Sequence, residues 1–174
     1  MNQKLAGLVV WFTILGTAIV AAPTAARSLP DQVRHELLML PYIGVFDTLS
    51  YAVDQNGVVK LTGEVVQPID RYNAEQAVKS LPGVTKVDNQ IEVLPLSPFD
   101  NQIRLSTLRA LERTGSLGKY FTGVHPAIRI IVKNGHVNLE GEVLNEGDRI
   151  MAYMAANRVP NVFSVSNDLQ VEVK

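Results

Sequence analysis

The chain has 174 residues, 16 Lys and Arg against 17 Asp and Glu, a formal net charge of −1, and no cysteine. That length suits two small domains of about 70 residues each, and the near-neutral balance argues against a general nucleic-acid binder. Without thiols there is no disulfide framework, no thiolate metal site and no lipidated N-terminal cysteine.

Residues 1–26 stand apart. Lys4 precedes an uncharged run from Leu5 to Ala26, most apolar over Leu8–Val20 and ending in Ala21, Ala22, Ala25 and Ala26. A basic start, an apolar stretch and a small-residue end predict a secretory signal peptide cleaved after Ala26. The alternative is an uncleaved anchor, since the run reaches the roughly 20 residues of a membrane span, weakened by Gly7, Gly16 and Pro23. Either reading places the rest in the periplasm or outside the cell, secreted or held at the inner membrane.

The first module is expected over 28–94. Ser28-Leu29-Pro30-Asp31 is a helix start, followed by Val33, Leu37 and Leu40 at helical spacing and stopped by Pro41 and Gly44. Leu49, Tyr51 and Val53 alternate as a strand; Asn56-Gly57 supplies the positive φ of a hairpin turn; Val59, Leu61 and Val65 lie on the return strand. Gly63 interrupts that strand, which predicts a bulge or the close approach of a neighbour. A second helix is predicted over Ile69–Leu81, closed by Gly83, and a last strand over Val84–Leu94. Residues 95–99 form a short Pro-containing linker.

The second module, 100–174, repeats the order. Asp100 is the expected cap of a helix with Ile103, Thr107, Ala110 and Leu111 on its apolar side. Strands are expected over Ile128–Val132, Val137–Val143 and Val162–Val173, with the Asn134-Gly135 turn, Gly141 in place of Gly63, and a helix over Gly147–Val159. From Asn56 to Val93 the chain matches Asn134 to Val171 without a gap at a spacing of 78 residues, and roughly 16 of 38 positions are identical. Gly83 becomes Asn161 in the second copy; these two residue types best tolerate the left-handed conformation after a helix. The fold class is therefore α+β, two tandem modules each ordered helix, strand, strand, helix, strand.

The repeated pattern N-G-x-V-x-L-x-G-x-V, then Asp-Arg at a helix start, then [GN]-V-x-x-V-x-N-x-[IL]-x-V, resembles the BON domain family. It stands at Asn56–Val65, Asp70-Arg71 and Gly83–Val93, and again at Asn134–Val143, Asp148-Arg149 and Asn161–Val171. The resemblance implies αββαβ modules, each a small mixed three-stranded sheet packed on two helices. It further implies a role at phospholipid membranes or as an envelope binding protein, and no catalytic residues.

Candidate chemistry is sparse. His35, His125 and His136 lack metal-ligand spacing, no nucleophile motif is present, and Glu64 and Glu142 recur on outward strand positions. No catalytic group, metal, cofactor or small-molecule substrate is expected. Asp70-Arg71 and Asp148-Arg149 read as helix-start electrostatics, with an inter-module contact as the alternative. Asn89 and Asn167 share strand parity with apolar neighbours, so each amide is expected to be buried and bonded to backbone; a ligand contact is the alternative. The charge excess sits at Arg104, Arg109, Arg113 and Lys119, followed by Tyr120 and Phe121. Cations beside exposed aromatics suit an anionic lipid surface; the alternative is that the cations complement a helix C-terminus while Tyr120 and Phe121 belong to the core. The expected function is a non-enzymatic envelope protein, of the envelope-maintenance or osmotic-stress kind, that engages anionic phospholipid through the second module. The alternative is a protein-binding or chaperone-like factor acting on other envelope proteins through sheet edges or the inter-module groove.

Overall fold

The computed structural model describes residues 27–172; the predicted signal segment and the last two residues lie outside the described residues. Module 1 runs α1 (Leu29–Leu38), β1 (Thr48–Val53), β2 (Val58–Val65), α2 (Pro68–Lys79), β3 (Lys86–Asn89) and β4 (Glu92–Val93). Module 2 runs α3 (Pro98–Glu112), a 3-10 turn (Leu117–Phe121), β5 (Ile128–Lys133), β6 (His136–Val143), α4 (Glu146–Asn157) and β7 (Ser164–Val171). Each sheet is mixed, with the middle strand antiparallel to its hairpin partner and parallel to the last strand. The α+β reading and the twofold repeat hold. One asymmetry is that the last strand of module 1 is split at Gln90-Ile91, where the Asn89 side-chain oxygen accepts the Ile91 N–H, while β7 is continuous.

Alternation does most of the folding. Val59, Leu61 and Val65 on β2 and Val137, Leu139 and Val143 on β6 point under the helices and anchor two cores. Gly57, Gly135, Gly83 and Asn161 all have positive φ. The hairpins nevertheless differ. In module 2 both Asn134 and Gly135 are left-handed, giving a two-residue turn between paired Lys133 and His136. In module 1 only Gly57 is left-handed, and Asp54 N–H bonds Val58 O around a longer turn, so Asn56 does not play the part its sequence suggests.

Helix starts depart from expectation in one place. Ser97, not Asp100, caps α3, and α3 already begins at Pro98, inside the expected linker. Asp100 is buried in the first turn, where its carboxylate accepts the N–H groups of Asn134 and Gly135 and ties the helix to the β5–β6 turn.

The modules are packed against each other. Ile130 and Val132 point into the module 2 core, so Ile131 between them points to the opposite sheet face, yet it is only 5% exposed. Module 1 covers it. Ile130 N–H bonds Val45 O at 2.8 Å, Arg129 Nη1 donates to Gly44 O at 2.6 Å, and Lys133 pairs with Glu92. Val45 and Phe46, residues of module 1, pack against the module 2 core. Glu64, expected at the surface, is half-buried, and burial, followed by Glu140 and Glu92, pushes its carboxyl up.

Candidate functional site

The six residues expected to form one basic and aromatic lipid surface are divided by the fold. Arg104 is 2% exposed; its guanidinium donates to Val132 O at 2.7 Å and closes part of the free edge of β5. Burial pushes its pKa down, with Asp100 and Asp47 acting the other way. Tyr120 is 6% exposed and belongs to the module 2 core, and Phe121 is half-buried against that core. Lys119 reaches solvent but is paired with Asp148 at 2.9 Å. The expectation that these six act together is therefore corrected: Arg104 and Tyr120 face inward, and Lys119 is neutralised in place. Arg109 and Arg113 remain exposed on α3.

Asp148 explains why Lys119 and Tyr120 are held. In the first turn of α4 it accepts from Tyr120 Oη (2.6 Å), Ser116 Oγ (2.8 Å), Lys119 Nζ (2.9 Å) and Asn145 Nδ2 (3.1 Å). Asn145 caps α4 by accepting Asp148 N–H, and Tyr120 Oη in turn accepts Leu144 N–H. With the Tyr120 hydrogen bond as the largest cause, the Asp148 carboxyl falls from its ordinary 3.8 to about 2. Its counterpart Asp70 has no such donors. One of its buried oxygens has no hydrogen-bond partner, and burial, then neighbouring Asp47, pushes its pKa up. Asp47 itself accepts Val66 N–H and Gly44 N–H, holding the loop that reaches module 2. The Asp-Arg pairs make no contact between modules: Arg149 pairs with Glu146, and Arg71 donates to Asn89 O within module 1.

The two repeated asparagines do the same job in each copy. Asn89 Nδ2 donates to Arg71 O and Asn167 Nδ2 to Arg149 O, stitching the last strand to the second helix. Both are half-buried, less than parity suggests. Asn89→Leu and Asn167→Leu should each cost about 0.5–1.5 kcal/mol, the usual net worth of a hydrogen bond that is not fully buried. Urea unfolding of the full chain checks this, and a change under about 0.5 kcal/mol for both would refute it.

What the surface offers is the helical layer of module 2. A groove of about 370 Å³ between α3 and α4 is lined by Ala110, Thr114, Met151, Met154, Ala155 and Arg158. Arg109 and Arg113 are chain neighbours of its α3 wall, and Ile150, Tyr153 and Met154 are exposed along α4. Among the described residues the ion pairs are Lys119–Asp148, Lys133–Glu92 and Arg149–Glu146, so these three arginines have no carboxylate partner. Sequence reasoning missed Arg158 because it lies far from the α3 cluster in the chain. Among the described residues no group of side chains could hold a metal ion, and no helix is long and apolar enough to cross a membrane.

Comparison with known proteins gives one strong match. The BON domain model matches residues 31–95 and again 99–173. Among solved structures, the chain is similar to the C-terminal domain of CdsD, the structural protein of the type III secretion system of Chlamydia trachomatis. The identity is 13%, covering 83% of this chain and 98% of that one with a TM-score of 0.34. A second structure of CdsD from the same organism matches at 13% identity over 83% of this chain and 92% of that one, with a TM-score of 0.32. No curated protein matches.

Proposed function

The chain belongs to the BON domain family through both modules, and from that premise we propose that it is a non-enzymatic cell-envelope protein that binds anionic phospholipid membranes through the α3–α4 face of module 2. The observation that carries the reading is a groove lined by Met154 and Arg158 of the α4 side, with Arg109 and Arg113 next in the chain to its α3 wall and Ile150 and Tyr153 exposed on α4, the three arginines having no carboxylate partner among the described residues. Arginine heads meet lipid phosphates while the apolar side chains reach the acyl boundary. Three cations at about 1 kcal/mol each supply about 3 kcal/mol, roughly a hundredfold in partition, weakening as salt rises. That suits weak, reversible association in envelope maintenance or osmotic stress.

Vesicle co-sedimentation of the full chain tests it. Arg109→Glu with Arg113→Glu removes two attractions and adds two repulsions, and should abolish binding to anionic vesicles at low salt without changing the melting temperature. Equal binding by both proteins, or none by the wild type, would reject the reading.

A further inference from the structure

The repeat extends upstream of the hairpins at an offset of 79, because the first turn holds one residue more than the second. Tyr42 to Val53 then matches Phe121 to Val132, and Gly44-Val45 falls on Gly123-Val124. In module 1 this dipeptide is a strap: Val45 O accepts Ile130 N–H and Gly44 O accepts from Arg129, so the edge of β5 is closed. In module 2 the same dipeptide is idle. Val124 is 82% exposed, and among the described residues 123–126 make no backbone hydrogen bond.

The receiving edge is repeated too. Glu142 N–H bonds Ala127 O, so odd-numbered residues of β5 face β6, while Ile128, Ile130 and Val132 turn their backbone polar groups outward. Ile130 N–H and Val132 O are the groups taken up by Val45 and Arg104. On β1, Asp54 N–H bonds Val58 O, so even-numbered residues face β2, while Leu49, Tyr51 and Val53 turn outward. Among the described residues those outward groups have no partner. The strand Thr48–Val53 carries no charge and no proline, the usual protections of an exposed edge.

We propose that Gly123-Val124 of one chain straps the β1 edge of a second copy at Tyr51, so that the contact joining the two modules within a chain recurs between chains and builds a head-to-tail oligomer. Donor and acceptor lie on different modules and are not self-complementary, so the assembly grows beyond a dimer as a ring or an open chain. A second copy is the occupant because both halves of the contact are already joined once in this fold, by the same dipeptide on the same strand position. The trans contact is the weaker of the two. His125 replaces Phe46, and Ser50 replaces Arg129. It also lacks the effective concentration, on the order of millimolar, that a short linkage gives the cis contact.

The absence of native cysteine makes a trap clean. The full chain carrying Ser50→Cys and His125→Cys, treated with a short bismaleimide at about 0.1 mM protein, should give a ladder of dimers, trimers and higher species. A mixture of the two single variants should give the cross-linked pair and stop there. Adding Val124→Asp should remove the ladder and leave the melting temperature unchanged, since that side chain is solvent-exposed. A product that stays monomeric, a ladder that survives Val124→Asp, or a double variant that only closes on itself would overturn the proposal.

Discussion

Replacing Gly141 with alanine should leave module 2 largely unfolded, and Gly63→Ala should do the same to module 1. Gly141 sits at φ 115° and Gly63 at φ 125°. A Cβ on Gly141 would lie 2.0 Å from Ala127 O, and one on Gly63 would lie 2.1 Å from Thr48 O. These are backbone carbonyls, one in β1 and one just before β5, so no side chain can swing aside; relief requires parting the hairpin. Left-handed strain and a backbone clash together place the loss above about 4 kcal/mol, a large part of what a domain of this size holds in reserve. Circular dichroism and urea titration of each variant check it. Native-like melting in both would refute the close approach of the Thr48 and Ala127 carbonyls to these glycines.

Asp148 should be the most costly side chain in module 2 to remove. Asp148→Ala strands Tyr120 Oη, Ser116 Oγ and Asn145 Nδ2 and leaves Lys119 uncompensated, for a loss of about 3–5 kcal/mol. Its folded-state carboxyl is depressed to about 2, so the stability it contributes is present above its ordinary value of 3.8 and fades as pH falls toward 2. Asp70 has the opposite sign: its raised pKa means the ionised form is the strained one, and Asp70→Asn should be neutral or stabilising at pH 7. Parallel urea titrations of Asp148→Asn and Asp70→Asn at pH 7 give the contrast, and equal losses in the two would refute it.

The elements were legible because their signals are local. Val59 to Val65 alternates, Asn134-Gly135 takes the left-handed turn, and Gly83 and Asn161 share a backbone requirement that survives the change of side chain. The candidate site was not legible, for a reason visible at Arg104. A guanidinium on a helix reads as solvent-facing because burying it is costly, and that cost is offset here by a carbonyl on a strand 28 residues away. Tyr120 was open in the sequence between surface and core. Its ring is core, and its hydroxyl is satisfied by Asp148 and Leu144, partners more than twenty residues downstream. Arg109 and Arg113 were placed correctly on the surface because no partner for them exists to be missed among the described residues.

The loop ending at Asp47 bears on how the chain comes into being. Val45 and Phe46 belong to the first half by sequence and to the second by packing. During synthesis the first half emerges with these two side chains exposed, and it completes its surface only when the second half arrives. Severing the chain near Ser97 would therefore yield two wounded fragments, one with Phe46 bare and one with Ile131 uncovered. The duplicated unit has given up part of its independence: each half covers surface of the other, so losing one half should lower the stability of the half that remains.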